Sequence, residues 1–140
     1  MAMTSDDALT FLLGHQPMPS DWDITDEEAG TFSAILEYFE AHPNPRCLPL
    51  CMRSVSDDTG LGIYQHIKLV LMSHETNDVV VHLRDAFRDG TDGVKSWCCE
   101  WAADVGAWEL EDEIQPLSDH PDEEIREAAR NFLELKEELA

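Results

Sequence analysis

Four cysteines and six histidines are the residues of this chain best suited to chemistry. Thiolates and imidazoles hold zinc when close pairs converge, usually pairs spaced as CxxC. Cys47 and Cys51 stand four apart and Cys98 and Cys99 are adjacent, so neither pair has that spacing. Adjacent residues on a helix point about 100° apart, which keeps Cys98 and Cys99 from sharing one ion. A disulfide scaffold is not expected either, because a chain of this length can bury a core of its own. His15, His42, His66, His74, His82 and His120 form no HExxH pair. The acidic run Glu109, Glu111, Asp112 and Glu113 reads as a solvated helix face, not as a catalytic carboxylate pair. Neither a GxSxG nucleophile turn nor a GxxxxGK phosphate loop occurs. These residues predict no catalytic group, no metal and no cofactor.

What remains is binding, and the charge restricts the partner. Thirty Asp and Glu against nine Lys and Arg give a formal charge of −21. Nucleic acids and anionic lipid surfaces are bound by Lys and Arg neutralising phosphates, so this field repels both. It attracts basic proteins and speeds their encounter. Acidity that only keeps the chain soluble, or that reflects a halotolerant proteome, is the alternative. With 43% hydrophobic and 28% charged residues the composition is that of a folded chain. The first residues, Met1 to Asp7, carry acid where a signal peptide needs positive charge, and no window approaches a membrane span. The expected compartment is the cytoplasm.

The elements that would position a binding face are helices. Glycines at 60, 62, 90, 93 and 106 and the His42-Pro43 and His120-Pro121 pairs divide the chain into segments one helix long. Apolar residues then recur every 31 positions. Phe32, Ile63, Val94 and Ile125 form one column, and Leu36, Ile67, Cys98 and Ala129 a second. Phe39, Val70, Trp101 and Phe132 form a third, and Glu40, Leu71, Ala102 and Leu133 a fourth in which Glu40 is the misfit. At relative positions 0, 4, 7 and 8 these columns are the core stripe of an amphipathic helix. A preceding set has Leu48, Val79 and Leu110, then Met52, Leu83 and Ile114, then Val55, Ala86 and Leu117. Each unit is therefore two helices, A and B. Units are placed at 44–74, 76–106 and 107–139, after an irregular N-terminal capping unit over 1–43 with helices near 5–13 and 25–41. His66 shares a column with Ile35, Trp97 and Ala128 and reads as a hydrogen-bonded core residue, as Trp97 and Trp101 read as core. Trp22, between Asp21 and Asp23, is either an exposed anchor or a staple on helix 25–41.

The last unit carries an acidic turn Asp122-Glu123-Glu124, then Ile125-Arg126, Ala128-Ala129 and Phe132-Leu133. The unit before it keeps Asp92-Gly93-Val94-Lys95 and Trp101-Ala102, while the unit at 44–74 reads Gly60-Leu61-Gly62-Ile63-Tyr64. This pattern resembles the short, phycobilisome-lyase-like HEAT repeats over roughly two-thirds of the chain. The resemblance implies an all-α, right-handed helical-hairpin solenoid of about four units, forming one domain with B helices on its concave side. It also implies that Arg126 and Lys95 are structural, pairing with acidic turns such as Asp92 and Asp122. Relatives of this kind are mostly scaffolds, adaptors or inhibitors, and some are immunity proteins, nucleic-acid enzymes or helpers of bilin lyases. Architecture transfers better than function in such folds.

Helix B of the unit at 44–74, from Leu61 to Met72, is apolar nearly all round. Behind its core stripe it carries Leu61, Tyr64, Leu69 and Met72, which suits a helix awaiting a partner. Gln65, Lys68 and Met72 point away from the core, and the same slots hold Ser96, Cys99 and Ala103, then Glu127, Arg130 and Glu134. The expected contact set is thus Leu61, Tyr64, Gln65, Lys68, Met72, Ser96, Cys99 and Arg130. Tyr64 and Met72 would anchor a basic or amphipathic protein, and Lys68 and Arg130 would steer it. The function expected is a non-enzymatic protein-binding module, of the immunity or inhibitor kind. A scaffold or adaptor subunit is the alternative, and an accessory subunit handling a pigment or nucleic acid a second.

Overall fold

A computed structural model describes residues 3–56 and 60–139 of the chain. Residues 1–2 of the N-terminal unit, 57–59 of the unit at 44–74, and residue 140 lie outside the described residues. Among the described residues every regular element is helical. In chain order these are α1 (Ser5–Leu13), α2 (Asp26–Ala41), α3 (Cys47–Met52), α4 (Ile67–Met72), α5 (Thr76–Asp89), α6 (Asp92–Val105), α7 (Glu111–Ile114) and α8 (Glu123–Leu139). Tighter 3₁₀ turns at Gly60–His66, Trp108–Leu110 and Gln115–Asp119 extend α4 and α7.

Short polar side chains set where these helices begin. Thr4 accepts from the Asp7 amide at 3.1 Å, and Thr91 from the Val94 amide at 3.3 Å. Thr25 and Glu28 cap α2 reciprocally, each side chain accepting from the other's amide, at 3.0 and 3.1 Å. Asp122 accepts from the Glu124 amide at 2.9 Å at the head of α8. Each such cap supports its helix by about 1 kcal/mol. Gly106, left-handed at φ 72°, ends α6.

The helices pack in two layers. In one, α1 contacts α3, α3 contacts α5, and α5 contacts α7; in the other, α2 contacts α4, α4 contacts α6, and α6 contacts α8. Sequential partners α3 and α4, α5 and α6, and α7 and α8 join the layers. The column Leu36, Ile67, Cys98 and Ala129 is fully buried, as are Phe39, Val70, Trp101 and Phe132. Leu48, Val79 and Leu110, with Met52, Leu83 and Ile114, fill the other side of the same core.

Three expectations change. The helix read over Leu61–Met72 is α-helical only from Ile67, because the chain enters it through left-handed residues at Gly60, Leu61 and Gly62. Gly60 lies against Tyr64 so closely that a Cβ there would stand 2.5 Å from the ring, so the backbone straps over a buried tyrosine. His66 and Trp97 are half-buried, not core; His66 meets Glu40 at 3.0 Å, pairing with the one misfit of its neighbouring column. The Arg126 guanidinium donates to the His120 carbonyl at 3.3 Å within its own unit, and the contact to the preceding unit's turn is His120 to Asp92 at 3.7 Å. Among the described residues no helix is long and apolar enough to cross a membrane.

Candidate binding groove

Residues of α6, of α8 and of the run into α4 line an open groove of about 330 Å³. Trp97, Glu100, Trp101 and Asp104 reach it from α6, at the offsets 0, 3, 4 and 7 that share one helix face. Gln65 and Lys68 close one side from the run into α4, and Asn131 and Leu135 close the other from α8.

The floor is aromatic. Trp97 and Trp101 stack with centroids 6.0 Å apart and planes 29° from parallel. Tyr64 meets Trp97 edge-on at 5.8 Å, and Phe32 meets Tyr64 edge-on at 6.1 Å, so rings from successive helices hold the indoles in place. Trp101 is 1% exposed, and its indole Nε1 finds no hydrogen-bond acceptor among the described residues. A buried donor left without an acceptor costs about 1–3 kcal/mol.

The walls are acidic. Burial holds the Glu100 carboxyl above its ordinary range, and the charges of Asp104 and Glu124 push it further. Burial also raises Asp104, with Lys68 pulling the other way. Lys68 makes no ion pair within 4 Å among the described residues, so it moderates the acidity without neutralising it. Glu100 and Asp104 are nonetheless exposed residues, accessible from solvent.

The expected contact residues divide. Gln65 and Lys68 line the groove. Met72, 57% exposed, borders a smaller pocket of about 210 Å³ that shares Asp104 with it. Leu61, also 57% exposed, lies elsewhere: its amide donates to Asp21 Oδ1 at 3.3 Å, next to Trp22, which is 94% exposed. Ser96 lines a separate cleft among Asp92, Asp122, Glu123 and Glu124. Tyr64 and Cys99 are corrections, since both are fully buried and present nothing to a partner. The Tyr64 hydroxyl accepts from the Ser56 amide at 3.2 Å beneath the Gly60 strap. α6 packs on α4, α5 and α8 together, leaving it only a narrow wet strip that excludes Cys99. Arg130 is exposed but bends back, its Nε donating to the Ser118 carbonyl at 3.1 Å.

Trp97, Glu100, Trp101, Asp104, Asn131 and Leu135 were not among the expected contacts. A signal for them exists: Glu100 and Asp104 are acids one turn apart inside the apolar stretch Trp97–Val105. Leu69, Glu100 and Asn131 also share a 31-residue column on the outward side.

The cysteines are all free and buried. Cys47 is held below the usual thiol range by its hydrogen bond to Cys51, whose own pKa that contact raises. Burial raises Cys98, and pushes Cys99 up to about 12. Among the described residues no three His, Cys, Asp or Glu side chains are grouped to hold a metal ion. Comparison of the chain with protein-family models, with curated proteins and with solved structures returns no match.

Proposed function

We propose that this chain is a non-enzymatic protein-binding module, a short right-handed solenoid of about four HEAT-like hairpins that docks a basic protein on its even-numbered helices. The observation that carries the reading is the groove over α6, with its indole floor and acidic walls, in a chain of net charge −21. Aromatic rings supply contact area at little entropic cost, and the surrounding charge selects and steers the partner. The two-layer packing and the buried 31-residue columns support the solenoid. An inhibitor or immunity protein, which must cover a basic active surface, is the role this chemistry suits.

The adaptor reading is favoured by one separate observation. Trp22 and Leu61 form an exposed apolar pair of segments tied together through Asp21, away from the groove residues, which gives an adaptor a second contact.

The test compares immobilised wild-type chain with a Glu100→Lys, Asp104→Lys variant and a Trp22→Ser variant in a lysate of the native cell. The inhibitor reading expects one basic protein, lost with the double lysine variant and kept with Trp22→Ser. Two proteins, each lost with a different variant, would favour the adaptor. Capture equal in all three chains would remove the groove from the docking surface.

A further inference from the structure

We infer that Trp22 and Leu61 anchor a docking site for a basic amphipathic helix, its apolar stripe seated on the two side chains and its lysines or arginines facing the acidic head of α2. This rests on the adaptor reading above and names the chemistry of its second contact.

The two anchors are displayed on a fixed frame. Trp22 is 94% exposed, which rules out the staple on α2; Ile24, half-buried against the core, holds that place. The turn that carries Trp22 is closed by its own hydrogen bonds. The Asp23 and Ile24 amides donate to the Ser20 carbonyl at 3.0 and 2.9 Å, and the Ser20 hydroxyl donates to Asp23 Oδ2 at 3.0 Å. Asp21 in the same turn accepts from the Leu61 amide at 3.3 Å and so ties the two segments together. Among the described residues Leu61 is the one non-glycine with positive φ, at 56°, where its Cβ crowds the chain. Its side chain is 57% exposed, so no core packing offsets that strain. A partner covering the leucine would offset it, and anchors already held in place lose little freedom on docking.

The surrounding charge selects what covers them. Residues 1–45 contain no Lys or Arg. Asp23, next to Trp22, and Asp26 and Glu27 in the first turn of α2 are exposed and make no ion pair among the described residues. Asp89, Glu113 and Glu111, by contrast, are met by Arg53, Arg84 and Lys136. A second copy of this chain or an anionic membrane would bring like charge to this face, so the field disfavours both. The occupant has to bring apolar surface to the centre and cations to the rim. A helix with apolar residues at i, i+3 and i+4 does both, because its stripe spans contact points on two segments while Lys and Arg stems flank it. A cation on such a stem also has the exposed Trp22 ring to lie against.

The probe is a capped peptide repeating Lys-Leu-Leu-Lys three times, titrated into the full chain at physiological salt, where long-range attraction is screened. One control keeps the composition but scatters the leucines around the helix, and the other replaces lysine by glutamate. The indole N–H resonance that disappears in Trp22→Ser should shift saturably with the probe and with neither control. By calorimetry, Trp22→Ser with Leu61→Gly should weaken the probe about ten-fold or more while the melting curve stays cooperative, since neither residue is in the core. Asp26→Asn with Glu27→Gln should weaken it about three-fold or more. Glu137→Gln with Glu138→Gln, which remove the same charge from α8, should leave it unchanged. Equal weakening by the two acid pairs, or binding that survives the loss of Trp22 and Leu61, would overturn the site, because general acidity would then hold the peptide. So would a dimer of the chain alone that Trp22→Ser dissolves, or a Trp22 shift on neutral lipid vesicles with none on the probe. The probe needs no natural partner, so the two readings fail separately. If lysate capture of one protein depends on Trp22 while the probe ignores it, the helix is wrong and the adaptor contact stands. If the probe needs Trp22 but capture is indifferent to it, the site is real and the adaptor reading falls.

Discussion

Asp104 stands one turn after Glu100 on α6, and its charge adds to a burial that already favours the neutral Glu100 acid. Glu124 acts in the same direction on Glu100, whereas Lys68 opposes the burial of Asp104. The groove is therefore a place where the fold bears an electrostatic cost.

That cost has a pH signature. A carboxyl whose pKa is raised by folding binds more protons folded than unfolded between its two values, so stability falls as pH climbs through that window. Glu100→Gln should melt higher than wild type at pH 7, and the gain should vanish as pH drops below the ordinary carboxylate range. Melting curves from pH 3 to 8 measure it. A variant less stable at pH 7 would mean that Glu100 has a compensating partner.

The core columns predict a sharp contrast between two substitutions. Trp101→Asp places a charge in the buried column of Phe39, Val70 and Phe132 and should cost about 4 kcal/mol or unfold the chain. Glu111→Lys removes only the half-exposed pair with Lys136, at 3.0 Å, and should cost about 1 kcal/mol or less. Urea unfolding of the two variants tests this, and similar midpoints would refute the burial of the column.

Tyr64 and Met72 should behave as opposites. Tyr64→Ala empties a fully buried site touched by Phe32 and Trp97 and should cost about 3–5 kcal/mol of stability. Met72→Ala, at a side chain 57% exposed, should stay within about 0.5 kcal/mol of wild type. Thermal melts of the single variants separate core from surface directly.

Gly60 and Gly62 both have positive φ, at 62° and 86°, yet only Gly60 also faces an obstacle. Gly62→Ala meets open space and should cost about 1–2 kcal/mol for the left-handed backbone alone. Gly60→Ala adds the collision with the Tyr64 ring and should cost clearly more. If Tyr64→Ala is introduced first, the two glycine substitutions should become similar, which a double-variant cycle would show.

Periodicity along the chain marked most of the core, although Ile63, Leu117 and Leu133 of its columns are only half-buried. Leu36, Ile67, Cys98 and Ala129 could be identified as buried because a helix repeats its faces by local geometry, whatever its neighbours are. The same holds for helix starts such as Thr25 with Glu28, whose hydrogen bonds close within three residues. The outward surface is different in kind. Lys68, Cys99 and Arg130 share one slot of the repeat, yet one lines the groove, one is fully buried and one turns back to Ser118. Helix geometry assigns them a common direction, but what lies in that direction depends on the packing of α4, α6 and α8. Tyr64 was hidden from sequence reasoning for a related reason, since Gly60 in the left-handed turn and the rings of Phe32 and Trp97 cover it from other segments. Core membership is a property of one helix and is written locally. Exposure, and with it the groove of Trp97, Glu100, Trp101 and Asp104, belongs to several helices at once and is decided only when they meet.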